Sequence, residues 1–221
     1  MTQAAETIRD TKERILDAAE ALFADQGFAA TSLRQITRAA KVNLASVNYH
    51  FQSKESLLLA VMRRKLEPIN ERRLVLLDGL ESRLPEVTPP VEEILRAFLR
   101  PIFEARMLGV ELSRFPRLMG RVLTEPGSIG GQLIREGFTH VVARFGAALR
   151  RAAPGLSQEG VGWGMMFSIG AMAHCLAGGV LVQVLSSRSV DLEDDDEVLE
   201  RMVRFMAGGI RALADEKRKH A

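Results

Sequence analysis

The sequence predicts an all-α protein built from a small N-terminal unit of three helices and a larger C-terminal helical domain. Aromatic residues make up only 5% of the 221 residues, whereas good helix formers such as Ala, Leu, Arg and Glu are common. Apolar residues recur three and four positions apart in most segments, and no segment alternates with the period of two that is typical of strands. Clusters of Pro and Gly separate these segments, as expected between helices.

The N-terminal unit begins with a helix predicted from about Thr7 to Asp25, which Gly27 ends. A second helix begins at Thr31 or Ser32, since either hydroxyl can accept a hydrogen bond from a free backbone N–H of the first turn. Ser32 followed by Gln35 also fits a capping box. These local signals predict two helices joined by a short loop.

A tight turn at about Lys41 to Asn43 leads into a third, short helix that Asn43 caps. Val47 and Phe51 are four residues apart and point inward. The open face of this helix carries four short side chains, those of Leu44, Ala45, Ser46 and Asn48. Short side chains allow a helix to enter the major groove of DNA, which is about 12 Å wide. Asn48 is a candidate for bidentate pairing with adenine, and Leu44 or Ala45 for contact with a thymine methyl group.

Tyr49, His50 and Lys54 follow this open face directly. A phenol, an imidazole and an ammonium group suit phosphate oxygens, which set the register of a protein on DNA without reading its sequence. Taken singly, each of these residues is as well explained by solvation or packing. The ordered set indicates a DNA-binding helix-turn-helix, followed by a further helix that Ser53 caps.

The remainder of the chain is predicted as helices separated by breaks at Pro85, Pro89-Pro90, Pro126-Gly127-Ser128 and Pro154-Gly155. The predicted helices are 53–82, 91–108, 110–123, 129–152, a helix capped by Ser157 that runs into the 180s, and 196–215. The acidic residues 194–197 lie at the positive end of the last helix.

Charge is balanced over the whole chain, with a formal net charge of +2, but it is distributed unevenly. From Arg34 to His50 the chain has three Lys or Arg and no Asp or Glu. A locally basic and globally balanced chain is typical of a sequence-specific regulator. The single Cys175 and the lack of an apolar N-terminal signal core indicate the cytoplasm. We expect no metal site, because no Cys/His cluster has zinc-binding spacing, and no cofactor.

Residues 8–62 resemble the N-terminal DNA-binding domain of TetR-family transcriptional regulators. The matching elements are Arg14 to Phe23, Gln26-Gly27-Phe28, Thr31 to Ala40 and Val47 to Leu57. The family usually has Gly in the turn where Lys41 stands here. Either this turn avoids a positive φ, or Lys41 tolerates it at a steric cost and adds a phosphate contact.

The resemblance implies a DNA-binding domain at 1–53, a helical ligand-binding and dimerisation domain at 54–221, and a homodimer that represses at a palindromic operator until an effector releases it. The implied base contacts come from Arg34, Leu44, Ala45, Ser46 and Asn48. The implied phosphate contacts come from Thr31 or Ser32, Asn43, Tyr49, His50 and Lys54. Arg34 as a base-contacting residue rests on the resemblance alone.

Residues 160–187 contain no charged residue, and such a run is either buried or inserted in lipid. One alternative is therefore a membrane-tethered DNA-binding protein anchored by this segment. The favoured interpretation is burial at a dimer interface, because small residues such as Gly170 and Ala177 allow close helix approach. The last helix supplies a second apolar face for that interface, with Val198, Met202, Phe205 and Met206.

The effector site is predicted only by composition and resemblance. Apolar and flexible side chains of the C-terminal domain are its candidates, together with one histidine: Phe103, Met107, Phe115, Met119, Phe138, Met166 and His174. Such residues also serve as ordinary core. The segment Val42 to Phe51 is similar to that of family members that sense fatty acids or acyl-CoA, which makes a hydrophobic acyl ligand a hypothesis.

An enzyme is not expected. The motif Gly160-x-Gly162-x-Gly164 lacks the third glycine position of a dinucleotide fingerprint and follows no predicted strand. The sequence contains no phosphate-loop lysine motif and no His-Glu-x-x-His.

Overall fold

The computed structural model describes residues 3–83, 87–107, 115, 118, 129–176, 180–186 and 194–215. Within these ranges the chain forms α-helices and short turns without a strand, which confirms the predicted all-α class. The helices described over their full length are α1 (Gln3–Gln26), α2 (Leu33–Ala40), α3 (Leu44–Phe51), α4 (Lys54–Arg83), α5 (Val91–Met107), α6 (Ile129–Gly137), α7 (Thr139–Ala152), α8 (Gln158–Leu176), α9 (Val180–Leu185) and α10 (Asp195–Asp215).

The chain divides into two compact units. Unit one comprises Met1–Glu67 and Ser113–Gly137, and unit two comprises Pro68–Leu112 and Phe138–Ala221. Helix α4 contributes to both units and contains Pro68 at the division. The domain boundary predicted after residue 53 coincides with the start of α4 and stays a prediction.

Unit one packs α1, α2 and α3 against one another. Its core is apolar and includes Ile15, Phe23, Ile36, Val47, Phe51, Leu57 and Met62, each at most 5% exposed. The inward positions predicted for Val47 and Phe51 are therefore confirmed. An apolar core of this kind supplies most of the stability of helices as short as α2 and α3, which are marginal on their own.

A cluster of ion pairs joins α1 to α4 in unit one. The Arg64 guanidinium donates to Glu13 Oε2 at 2.9 Å, Asp17 Oδ1 at 2.8 Å and Glu20 Oε2 at 2.7 Å. Lys65 Nζ lies 3.1 Å from Glu20 Oε1. Burial works to lower the pKa of Arg64, but hydrogen bonds to the three carboxylates outweigh it and the pKa is raised. Because Glu20 is only 7% exposed, its pairs with Arg64 and Lys65 are screened less than a surface pair.

Unit two packs α10 against α5 and α8, and α7 against α5 and α8. Glycines allow these close approaches: a Cβ at Gly146 would lie 2.8 Å from Val161 Cγ1, and one at Gly164 would overlap Ile210 Cδ1. The rings of Phe98 and Phe145 meet edge to face with centroids 5.2 Å apart.

Helix α10 is also joined to α5 by ion pairs at the surface of unit two. Arg96 donates to both carboxylate oxygens of Glu200 at 2.6 and 2.8 Å, and Arg211 donates to Glu92 at 2.6 and 2.7 Å. These hydrogen bonds lower the pKa of Glu200 and of Glu92.

The predicted helix 129–152 is wrong as a single element. The structure has α6 and α7, separated at Phe138, whose φ of −121° and ψ of −22° leave helical geometry. The Phe138 ring is only 4% exposed, and Gly137 before it weakens helix continuity. Burial of the ring thus replaces one long helix with two.

Other expected boundaries agree closely. The Ser157 hydroxyl accepts from Gly160 N at 2.9 Å and caps α8 as predicted. Asp194 accepts from Glu197 N at 3.0 Å at the start of α10. Of the predicted helix 110–123, Phe115 and Leu118 are helical and buried and the other residues lie outside the described ranges, as does the predicted turn at 126–128.

The alternative of a membrane anchor at 160–187 depends on α8 and α9. In the described part of the chain, no helix combines the length and apolar character needed to span a bilayer.

Candidate nucleic-acid interface

Helix α2 starts with the predicted capping box. Ser32 Oγ accepts from Gln35 N at 3.3 Å, and Gln35 Oε1 accepts from Ser32 N at 2.7 Å. Thr31 takes no part in this cap. Its hydroxyl donates to Gly27 O at 2.8 Å and Leu22 O at 3.2 Å, and the residue is 1% exposed. Of the two predicted alternatives, Ser32 is the exposed one, and the Thr31 hydroxyl is directed away from solvent.

The turn between α2 and α3 places Lys41 in the left-handed region, with φ 53° and ψ 47°. Lys41 therefore adopts the strained conformation that glycine would adopt at lower cost. The Arg14 guanidinium supports the turn, donating from Nη2 to Ala40 O at 2.6 Å and to Lys41 O at 2.9 Å. This role of Arg14 was missed from sequence, because a contact across 26 residues leaves no local signal.

Helix α3 is capped by Asn43, whose Oδ1 accepts from Ser46 N at 2.8 Å and from Ser46 Oγ at 3.0 Å. Val47 and Phe51 are 1% and 5% exposed and anchor the helix on the core. The opposite face lies in solvent. Leu44 is 43% exposed and Tyr49 76%, and Ala45 and Asn48 are exposed as well, while Ser46 is half-buried.

The basic residues of this region point to solvent. Arg34, Arg38 and Lys41 are exposed, and no acidic residue lies between Arg34 and His50. His50 is half-buried between its neighbours, with its ring 5.1 Å from that of Tyr49 and 5.9 Å from that of Phe51. The face of α3 is thus bordered by cationic and hydrogen-bonding groups. Side chains of these two kinds make the phosphate contacts of DNA-binding proteins.

Lys54 differs from the expectation of a free phosphate ligand. Its ammonium group donates to Phe28 O at 2.8 Å and Thr31 O at 2.9 Å and lies 4.2 Å from the centroid of the Phe28 ring. It therefore fastens the loop before α2 to the start of α4. An ammonium group has three donors, so one remains beyond these two bonds.

The predicted effector residues do not share one environment. Phe103, Phe115 and Phe138 are buried, at 3%, 6% and 4% exposure. Met166 is 52% exposed and His174 is also exposed, so these two side chains lie on the solvent side of α8. The side chain of Met107 and the whole of Met119 lie outside the described part of the chain.

The predicted dimer residues also separate into two groups. Val198, Met202 and Met206 are 6–7% exposed and fill the core of unit two, so they have little area left for another chain. Their apolar spacing indicated burial, but the surface that buries them is the chain's own. Gly170 and Phe205 are exposed, the latter at 79%. Ala177 lies outside the described residues.

Comparisons with known proteins agree with this geometry. Residues 15–61 match the family model described as bacterial regulatory proteins, tetR family, and residues 96–209 match the model described as tetracyclin repressor-like, C-terminal domain. Together the two models cover both the helix-turn-helix and most of unit two.

Among curated relatives, the chain is 37% identical over 73 residues to the HTH-type transcriptional repressor KstR2 of Rhodococcus jostii, which is 33% of this chain and 36% of that protein. It is 42% identical over 48 residues to the probable HTH-type transcriptional regulator YttP of Bacillus subtilis, covering 22% of this chain and 23% of that protein. The matches thus span about a third or less of the length of these two relatives.

Among solved structures, FadR from Bacillus subtilis in complex with stearoyl-CoA aligns with a TM-score of 0.58 at 18% identity, over 86% of this chain and 97% of that chain. The SmeT–triclosan complex aligns with a TM-score of 0.56 at 24% identity, over 87% and 89%. At these identities the likeness concerns the fold.

Proposed function

This chain belongs to the TetR family of bacterial transcriptional regulators, and we propose that it represses transcription by binding a palindromic operator as a homodimer until a small hydrophobic effector releases it. It would act in the cytoplasm, where bacterial DNA lies. The observation that carries the proposal is the exposed face of α3, which carries short side chains, on a helix fixed by Asn43, Val47 and Phe51.

The proposed base contacts are those of Arg34, Leu44, Ala45, Ser46 and Asn48. Asn48 is exposed on α3 and carries the amide that pairs bidentately with adenine N6 and N7. Leu44 begins the same helix and offers an apolar surface to a thymine methyl group.

The proposed phosphate contacts surround this face. Ser32 and Tyr49 are exposed, and Asn43 keeps its amide donors because only its oxygen is used in the cap. Lys41 adds an exposed ammonium group at the turn, His50 adds an imidazole, and Lys54 adds its third donor. Thr31 is omitted from the side-chain contacts because its hydroxyl bonds the chain's own carbonyls.

The proposed dimer surface is the solvent face of α8 and α10, two helices that pack together in unit two. It carries large apolar side chains, with Trp163, Met166, Phe167 and Phe205 exposed by 47–79%. Gly170, Gly208 and Gly209 leave room on the same helices, since a Cβ added at any of them would meet nothing within 4 Å. Exposed apolar patches of this kind mark interfaces, and two recognition helices spaced by a turn of DNA require a dimer.

The proposed effector is a small hydrophobic molecule held in unit two. Support comes from the concentration of buried aromatic side chains there, among them Phe98, Phe103, Phe138 and Phe145. The stearoyl-CoA bound to the structurally similar FadR makes an acyl-type ligand a reasonable first class to test. The ligand would act through a higher affinity for a conformer that does not fit the operator.

Selection from a randomised DNA pool at moderate salt tests the proposal directly. We expect a palindrome with half-sites about one helical turn apart, bound by the dimer. Recovery of no preferred sequence from folded protein would contradict the assignment of α3 as a recognition helix. A palindrome recovered by the wild type and lost in Asn48→Ala would tie the sequence preference to the face of α3.

A further inference from the structure

Arg73 is the largest fully buried side chain in the described part of the protein. It lies on α4 within unit two and is 1% exposed, whereas its neighbour Arg72 keeps a side-chain exposure of 49%. Arginine is rarely buried without a paired carboxylate. A guanidinium in this position therefore requires an explanation.

The contacts of Arg73 are polar but contain no carboxylate. Nε donates to Phe98 O at 2.8 Å, Nη1 donates to Asn70 Oδ1 at 2.9 Å, and the guanidinium carbon lies 4.1 Å from the centroid of the Phe98 ring. Both hydrogen-bond acceptors are neutral groups. Among the described residues no Asp or Glu lies within ion-pair distance of Arg73, so the positive charge has no counter-charge there.

Other arginines of unit two, which are more accessible than Arg73, show the opposite pattern. Arg72 pairs with Glu104 at 2.9 Å, Arg96 with Glu200 at 2.6 Å and Arg144 with Asp78 at 2.5 Å. Surface ion pairs contribute little to stability, while an isolated buried charge costs much more. In the described part of unit two these carboxylates therefore pair with accessible arginines, and the buried Arg73 has none.

Burial lowers the pKa of Arg73 to about 9. The group nevertheless stays protonated at neutral pH, which lies below that value. The folded protein accordingly holds a positive charge inside unit two that a bound anion would neutralise.

The Phe98 ring beside Arg73 belongs to the apolar core of unit two. Phe98, Leu77, Ile94 and Leu95 are fully buried in the same unit, and Phe145 meets Phe98 edge to face. Aromatic and aliphatic walls with one oriented polar group are the usual composition of a small-molecule site. Such a site selects an apolar ligand with a single charged end.

Pro101 marks a weak point of α5 next to this contact. A proline inside a helix has no N–H for the carbonyl four residues earlier, here that of Ala97, and it disturbs the adjoining turn. Arg73 Nε bonds the next carbonyl, that of Phe98. Arg73 thus bonds α5 one residue after the carbonyl that Pro101 leaves without its helical hydrogen bond.

We propose that Arg73 is the anion-binding group of the effector site, so that the effector is an apolar molecule with an oxyanion head group that pairs with this guanidinium. The inference rests on the proposed effector-responsive function and names the chemical class of the ligand. Arginine suits the role because its planar fork binds carboxylate or phosphate through two parallel hydrogen bonds.

The test compares matched probes by thermal unfolding of the full chain at pH 7. Dodecanoate and dodecanoyl-CoA carry an oxyanion on the same alkyl chain, whereas 1-dodecanol is neutral. We expect at least one anionic probe to raise the Tm of the wild type more than the alcohol does. The carboxylate and the coenzyme arms separate a fatty acid head group from a phosphate.

Variants then assign the effect to Arg73. Arg73→Met keeps the unbranched stem and removes the guanidinium charge, so it should abolish the preference for the anionic probe, while Arg73→Lys should retain part of it. Arg72→Met removes an exposed arginine one residue away and should leave the preference unchanged. Arg73→Gln, which can still donate to Phe98 O, replaces the Met variant if that one does not fold.

Three outcomes overturn the inference: equal stabilisation by dodecanol and the anions, no stabilisation by any probe, or an anion preference that persists in the neutral variants. Operator binding is measured on the same proteins. A neutral variant that binds the operator normally and keeps the anion preference rejects only the role of Arg73. A folded wild type without a preferred operator rejects the proposed function while leaving the anion preference standing.

Discussion

Two exposed helix faces of this protein include residues with little or no side chain, but their chemistry differs. The face of α3 carries Ala45 and Asn48 with Tyr49 beside them, and the exposed face of α8 and α10 carries glycines with Trp163 and Phe205. Both allow a close approach by a partner. Under the proposed function the first would supply hydrogen-bonding groups to the groove of DNA, and the second would supply apolar area to another copy of the chain.

The two faces are also held in different ways. Side-chain hydrogen bonds to backbone groups position α3 and its surroundings, through Arg14 at the turn, Asn43 at the cap and Lys54 at the loop before α2. By contrast, α8 is held against α10 by close packing at a glycine, since Gly164 faces Ile210. Side-chain size alone therefore does not reveal the partner of an exposed helix; the polarity around it does.

The largest expected effect concerns the apolar face. Phe205→Arg places a charge on the proposed interface and should weaken dimerisation by at least about 2 kcal/mol, the size of an interface hot spot. Sedimentation equilibrium measures this shift. Val75→Arg, which changes an exposed apolar residue of α4, is the control. A dimer unaffected by Phe205→Arg would place the interface elsewhere.

Asn48→Ala addresses the polar face. It should cost about 1–3 kcal/mol on the preferred operator and relax the preference at one base position, because a bidentate contact is lost. Competition binding with operators mutated base by base checks this, with Glu55→Ala as the neighbouring control. Uniform weakening on all sequences would show that Asn48 does not face a base.

Lys54→Met tests how the polar face is supported. Loss of the hydrogen bonds to Phe28 O and Thr31 O should lower the free energy of unfolding by about 1–2 kcal/mol, measured by urea denaturation. Lys12→Met on the exposed surface of α1 serves as a control. Unchanged stability with a salt slope of DNA binding reduced by about one unit would instead assign Lys54 to phosphate alone.

Lys41→Gly should have the smallest effect, with a gain in stability and a weaker salt dependence of operator binding. Glycine adopts the φ of 53° without the steric cost that lysine carries, so the variant should gain about 0.5–1 kcal/mol of stability. Removal of the exposed ammonium should at the same time flatten the salt dependence of operator binding by about one unit. An unchanged salt slope would remove Lys41 from the phosphate contacts.

Local chemistry explains which elements were predictable from sequence. Ser32, Asn43 and Ser157 cap helices within three residues of themselves, so their signals are complete in short segments. The helix break at Phe138 was not predicted, because the sequence keeps a helical apolar pattern across it. Burial of the Phe138 ring interrupts the helix there. The apolar spacing of Val198, Met202 and Met206 predicts a buried stripe, but a stripe does not state whether the covering surface belongs to the same chain.

Long-range contacts explain why other features of the candidate sites could not be predicted from sequence. Arg14 reaches carbonyls 26 and 27 residues away, and Lys54 reaches back to the loop before α2. Arg72 and Arg73 are adjacent in sequence and identical in type, yet one is exposed and the other buried. Only the packing of α4 against its neighbours separates them.

Trp163 offers an intrinsic fluorescence signal for the proposed association. It is the single tryptophan of the chain, 47% exposed, and its ring stacks on Phe167 with centroids 5.7 Å apart. Indole emission depends on contact with water, so covering this ring by a partner surface would move the fluorescence maximum to shorter wavelengths. Dilution of the unlabelled protein would reverse the shift, and the midpoint of that optical titration would report the dissociation constant of the dimer.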